Sequence, residues 1–198
     1  MYYKGIRVHA SIQGELHMIL RSTANKTEQL VMTALMTSLV LIGTMLIRVP
    51  IPMTQGYVHM GDAMIYIGVL LLGKKHGTAA ASLGSLMADI LSGYAFWAPW
   101  SLVIKAAMAY TAGVFAERAL LTPHHAAHHS VNMTRAMTVL GMALGGLLMT
   151  AGYFLAEGIM YGNWPAAMLG VPWNIGQFTA GISVALTVAS AVSRIHRS

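Results

Sequence analysis

Apolar residues run along this chain in long blocks rather than in alternation, and short polar or proline-bearing stretches separate the blocks. A membrane-crossing helix needs about 20 mostly apolar residues, and the pattern predicts six such spans. The first covers Thr27 to Ile47, ended by Arg48, Pro50 and Pro52, because proline removes a donor and clashes in a helix interior. Val49 to Met60 is non-helical. The second span starts near Asp62, with Asp62 as its N-cap, and ends at Gly73-Lys74-Lys75. The third covers Gly77 to Ser92, Gly93 to Ala98 turns the chain, and the fourth covers Pro99 to Glu117, with Pro99 in the first turn. A histidine-rich loop, Leu121 to Val131, precedes a fifth span over Met133 to Leu155. After a short aromatic linker from Glu157 to Trp164, Pro165 to Gly170 is either part of a helix or a re-entrant turn. The sixth span then runs from Pro172 to Val192.

Composition agrees with a bilayer as solvent. Of 198 residues, 56% are hydrophobic and 9% charged, against roughly 25% charged in soluble domains. The expected fold is an all-α integral membrane bundle of six helices over residues 27–194, after a lead-in, 1–26, that is amphipathic or disordered and is no signal peptide. The net charge of +6 is no nucleic-acid signal, because the basic residues are scattered between apolar blocks. With six spans, Lys4, Arg7, Arg21, Lys26, Lys74, Lys75, Arg118, Arg135, Arg194 and Arg197 share one side. The other side has Arg48, and Lys105 lies inside a span. Cytoplasmic loops carry the Lys and Arg excess, so both termini are expected in the cytoplasm.

The candidate chemistry gathers at the opposite, outward end. Gln55, Tyr57, His59, Asp62, Asp89, Tyr94, Trp97, Trp100, Lys105, Glu157, Tyr161, Asn163, Trp164, Trp173, Asn174 and Gln177 all fall there. Ring faces and a few fixed polar groups suit a small organic ligand; an interfacial aromatic belt is the plainer reading. Asp89 and Lys105 lie within spans, where a charge needs a partner or a cavity. They read equally as a buried ion pair with each other or as ligand contacts, and Asp62 as a structural polar residue. Small residues four apart, such as Gly77, Ala81 and Ser85, or Gly141 with Gly145, read as helix-packing faces. On the first span Ala34 and Ser38 read either that way or as a surface for another subunit. His124, His125, His128 and His129 read as a solvated loop, so no metal site is expected, and the absence of cysteine removes thiolate chemistry. No GxxxxGK[ST], HExxH or GxSxG motif occurs, so no enzymatic activity and no cofactor are expected, and ATP-driven transport would need other chains.

The stretch IPMTQGYVHMGDAMIYIGVLLLGKKHG, followed by GSLMADILSGYAFWAPWSLVIKAAM and later VPWNIGQ, resembles the substrate-binding S components of energy-coupling factor (ECF) vitamin transporters. It is most similar to the riboflavin-type group, which includes hydroxymethylpyrimidine and pyridoxine carriers. The resemblance covers residues 30 to 192. It implies a multi-pass subunit in a prokaryotic plasma membrane that captures a B-vitamin or precursor from outside and works with a transmembrane scaffold subunit and two cytoplasmic ATPases. Ala34 and Ser38 match the family's AxxxA scaffold-docking motif, with serine replacing the second alanine. The family pocket, carried over, contains Tyr57, His59, Trp97, Lys105, Asn163, Trp164, Asn174 and Gln177; Trp97, Trp100 and Trp164 are the expected stacking partners for a flat heteroaromatic. The alternative function is a stand-alone, ion-coupled secondary transporter using Asp89 and Lys105. A membrane enzyme or metal carrier using the histidine loop is a third reading.

Overall fold

The computed structural model describes residues 25–46, 48–51, 57–121 and 127–195, with backbone alone at 120–121, 127–132 and 192–195. Five helices and one small β-hairpin make up these residues: α1 (Lys26–Leu46), β1 (Arg48–Pro50), β2 (Tyr57–His59), α2 (Gly61–Leu91), α3 (Ala98–Leu121), α4 (Ala127–Tyr161) and α5 (Trp164–Ile195). The strands pair antiparallel, Arg48 opposite His59 and Pro50 opposite Tyr57. Gln55, His124, His125 and residues 1–24 of the lead-in lie outside the described residues, as do Lys4, Arg7, Arg21 and Arg197.

Helix α2 is two helices joined at Gly73, whose backbone (φ 73°, ψ 179°) is open to glycine and strained for other residues. The chain folds back there: a Cβ on Gly77 would lie 2.7 Å from the Cα of Val69. In one straight helix those residues would be about 12 Å apart, at 1.5 Å per residue. Arm 61–72 therefore runs antiparallel to arm 74–91. Glu117 of α3 pins the reversal, accepting from the Lys74 amide at 3.1 Å and pairing with the Lys74 ammonium at 3.3 Å.

Helix α2 is central, packing against α1, α3 and α5, while α4 packs between α3 and α5. Val40, Ile65, Tyr66, Val69, Met108, Met142, Met149 and Phe178 form the buried centre. The Tyr66 hydroxyl donates to the Met142 carbonyl at 2.8 Å, tying α2 to α4. At the α1–α2 contact, Gly84 lets the Thr37 carbonyl and Val40 approach to where a Cβ would sit 2.8 Å from each.

The outer surface is strongly apolar. Leu30, Leu35, Leu39, Ile42 and Leu46 of α1, and Leu147, Leu148, Leu155 and Ile159 of α4, are exposed, while Asp62 and Lys105 are fully buried. Hydroxyls on the helices satisfy themselves against the carbonyl one turn back: Thr37 on Thr33 at 2.8 Å, Ser38 on Ala34 at 3.0 Å, Thr179 on Ile175 at 2.7 Å. Such back-bonding meets these three donors in an apolar solvent. Among the described residues, Lys26–Leu46 and Met133–Tyr161 are by length and composition apolar enough to cross a membrane.

Boundaries differ from the sequence reading at α4 and α5; α4 runs to Tyr161, so most of the expected linker from Glu157 to Trp164 is helical. Helix α5 starts at Trp164, and Pro172 lies inside it rather than at its start. Asn163 sets that start by accepting from the Ala166 amide at 3.1 Å, an N-cap bond, and Pro165 sits in the first turn, where proline is tolerated. Helix α4 begins at Ala127, so His128 and His129 belong to a helix by their backbone.

Candidate functional site

At the end of the bundle away from Gly73, the α1 C-terminus, the β-hairpin, the C-terminal arm of α2, the start of α3, the end of α4 and the middle of α5 surround a cavity of about 50 Å³. Room for one water takes roughly 10–15 Å³ on such a measure, so the side chains leave this end hollow rather than packed solid.

The cup has a polar floor. Lys105 and Asp62 form an ion pair whose side chains are both completely buried. The second Asp62 oxygen accepts from Gln177 Nε2 at 2.7 Å, and Gln177 Oε1 accepts from the His59 amide at 2.8 Å. Lys105 also reaches the Met149 sulfur at 2.9 Å and sits 5.4 Å from the centre of the Tyr153 ring. The charges of the floor are thus matched internally, and the network joins β2, α2, α3 and α5. His59 Nδ1 accepts from the Gly61 amide at 3.0 Å, so that nitrogen carries no proton. Burial, with Lys105 second and Arg48 minor, lowers the His59 pKa to about 3 against the pull of Asp62. The imidazole is neutral, with Nε2–H as its donor.

The walls are aromatic and polar. The Tyr57 hydroxyl donates to Asp89 Oδ1 at 2.7 Å, and Tyr94 packs on Tyr57 with ring centres 5.0 Å apart. Arg48, at the rim, lies 5.2 Å over the Tyr57 ring; it donates to the Thr44 carbonyl at 3.2 Å and to the Ser92 hydroxyl. Across the cup, Trp97 leans on Tyr153 and donates to the Tyr161 hydroxyl at 3.1 Å, and Ser101 and Tyr153 share a hydrogen bond of 3.0 Å. Glu157 and Asn174 close the remaining side. Buried Thr44 Oγ1, Ser85 Oγ and Asp89 Oδ2, all on the cup wall, have no hydrogen-bond partner among the described residues.

Of the residues singled out from sequence, Tyr57, His59, Trp97, Asn174 and Gln177 line the cup, together with Asp89 and Glu157. Lys105 lies beneath it. Trp100 packs on the core, Asn163 caps α5, and Trp164 is 45% exposed against Phe154. A stack of Trp97, Trp100 and Trp164 is therefore not formed; Tyr57 and Tyr153 face the cup beside Trp97. Lys105 pairs with Asp62 at the start of α2 and not with Asp89. Asp62 does not cap α2: no side-chain cap bond forms there, and His59 takes the Gly61 amide instead. Thr44, Ile51, Ser101 and Tyr153 are wall residues that the sequence did not mark, and Ser85, read as a helix-packing residue, lies on the wall too.

A helix bundle that is apolar outside, with its charged and amide groups gathered around a cavity at one end, has the build of a membrane protein. The family model described as ECF-type riboflavin transporter, S component, matches residues 24–194, and the chain belongs to that family. An uncharacterised protein from the gap 3′ region of Pyrococcus woesei is 37% identical over 123 residues, 62% of this chain and 74% of that one. The thiamine precursor transporter HmpT of Lactococcus lactis subsp. cremoris is 27% identical over 168 residues, 84% of this chain and 89% of its own length. A solved S component of a bacterial ECF transporter superposes with a TM-score of 0.62 at 15% identity, over 87% of this chain and 98% of that structure, which shows a shared fold. The protein is the vitamin-binding subunit of an ECF importer in a prokaryotic membrane, a transport subunit and not an enzyme.

Proposed function

We propose that the cup is the vitamin site, that it opens on the extracytoplasmic face, and that six helical segments cross the membrane with both termini in the cytoplasm. The carrying observation is the convergence of Tyr57, Trp97, Tyr153, Asn174 and Gln177 from four separate parts of the chain on one open cavity. The ligand is a B-vitamin or precursor of the pyridoxine, hydroxymethylpyrimidine or riboflavin kind; a relative over most of the chain is a thiamine precursor transporter.

The reversal at Gly73 turns five helices into six rods and supports the span count. Lys26, Lys74, Lys75, Arg118 and Arg135 lie toward the end opposite the cup, and the positive-inside rule puts that end in the cytoplasm. Arm 61–72 is about 18 Å long. The β-hairpin lies beyond its outer end and connects it to α1.

Scaffold docking falls to α1. Ala34 and Ser38 are exposed among large apolar neighbours, and the Ser38 hydroxyl is spent on the Ala34 carbonyl. Serine here presents the same small, apolar contact as alanine. Transport then draws its energy from two ATPase subunits bound through the scaffold. Ion coupling through Asp89 and Lys105 has less support, since Lys105 is held by Asp62 and not by Asp89.

Isothermal calorimetry of the purified protein against a panel of B-vitamins and precursors tests this reading. One compound is expected to bind at 1:1 stoichiometry with uptake in vesicles dependent on the ATPase module. Silence across the whole panel, or uptake by this chain alone, would overturn it.

A further inference from the structure

Gln177 lies on the cup wall, 8% exposed, yet its amide is spent inside the protein. Nε2 donates to Asp62 Oδ2 at 2.7 Å and lies 3.8 Å from the Met149 sulfur, while Oε1 accepts from the His59 amide at 2.8 Å. Only one orientation satisfies both neighbours. An ionised carboxylate accepts and a backbone N–H donates, so the side chain between them must turn its nitrogen to Asp62 and its oxygen to His59. Lys105, on the other Asp62 oxygen, is the countercharge of that carboxylate. The bonds thus run from the buried ion pair, through one side chain, to the backbone of β2. Tyr57 and His59 stand two residues apart on β2, both line the cup, and their rings are 5.7 Å apart. Alternate strand residues share a face, and a slip of one residue would turn that face away.

We propose that Gln177 is a positioning residue: oriented by Asp62 and Lys105 at one end, it fixes the His59 backbone at the other and so holds the Tyr57–His59 face of β2 toward the cup. The buried ion pair then acts on the site without touching the ligand; the consequence for affinity rests on the vitamin-site reading above. A change at Asp62 should therefore reach the hairpin. In Asp62→Asn the new amide gives its oxygen to Lys105 and turns a donor to Gln177. Gln177 must flip to accept it, which sets its own N–H against the His59 N–H. Adding Gln177→Glu repairs the pattern. The carboxylate now at 177 accepts from the new amide and from the His59 N–H together, and the core regains an anion for Lys105.

Hydrogen exchange on the ligand-free full chain, followed by mass spectrometry, reads the His59 amide directly. Asp62→Asn should speed its exchange about 2- to 12-fold, the range of one hydrogen bond, and Asp62→Asn with Gln177→Glu should regain most of the protection. Gln177→Met, which changes no charge, should speed exchange by a similar factor and keeps the test open if Asp62→Asn does not fold. Wild-type exchange in Gln177→Met, or a double variant no better protected than Asp62→Asn, would overturn the inference. Calorimetry with pyridoxine, riboflavin and 4-amino-5-hydroxymethyl-2-methylpyrimidine gives a second readout. A compound that binds the wild type should bind Gln177→Met more weakly by a similar factor, and the double variant nearly as well as the wild type. Affinity lost while exchange stays unmoved would make Gln177 a ligand contact and overturn the inference. No binding by any of the three, with exchange behaving as expected, would count against the vitamin site and leave the positioning of β2 standing.

Discussion

Lys105 and Asp62 show what a charge in this bundle requires. Each is completely buried, and each has a second partner, Asp62 in Gln177 and Lys105 in the Met149 sulfur. Removing one member leaves the other charged and alone, which costs about 3–5 kcal/mol, whereas replacing both by apolar residues is often near neutral. Lys105→Met and Asp62→Leu are each expected to lower the melting temperature in detergent sharply. The double variant should lose much less than the sum, and strict additivity would contradict the pairing. His59 adds a pH dependence. Its folded pKa, about 3, lies below the unfolded 6.5, so between those values the unfolded chain binds a proton that the folded chain refuses. The stability tied to a neutral His59 is whole above pH 6.5 and falls as the pH drops through that window, by at most about 1.4 kcal/mol per unit. Asp62, Lys105 and Arg48 face this ring. Comparing melting curves of wild type and His59→Asn from pH 7 to 5 checks it: the variant, whose amide can still accept from Gly61, should lose less on acidification.

The elements were legible where the chain breaks are sharp. Pro50 and Pro52 predicted the end of the first helix at Ile47, and α1 ends at Leu46; Pro99 falls in the first turn of α3 as expected. Gly73-Lys74-Lys75 marked the reversal in α2, because glycine alone is at ease with that backbone. Pro172 misled. A helix-interior proline costs about 3 kcal/mol in isolation, but α5 is 32 residues long and held by Asn163 at its start, so packing outweighs the local penalty. Two variants act at this scale. Gly73→Val should strain the reversal by about 1–3 kcal/mol and crowd the arms, lowering the folded yield in gel filtration. Ala34→Trp on the exposed face of α1 should abolish co-purification with the scaffold subunit while vitamin affinity stays unchanged; a loss of both would place Ala34 inside the bundle's own packing.

At the scale of the molecule, the aromatic and amide residues of the cup were legible because Tyr57, His59, Trp97, Asn174 and Gln177 stand out at the ends of apolar blocks. Thr44, Ser85, Ser101 and Tyr153 were not, since a lone hydroxyl inside an apolar run reads as a packing residue; Ser85 fits the small-residue stripe as well as it fits the cup. Which Trp ring turns inward could not be read either, because all four occur at the same end. The chain has no cysteine, which makes sidedness accessible. A single cysteine at Phe96 should react with an impermeant maleimide on intact cells, and one at Lys75 only after the membrane is opened. The cup itself is tested most directly with Trp97 as sole tryptophan, after Trp100→Phe, Trp164→Phe and Trp173→Phe. Titration with the vitamin identified by calorimetry should quench its fluorescence saturably, at the calorimetric midpoint. Calorimetric binding that leaves the Trp97 emission unchanged would place the ligand elsewhere and contradict the account.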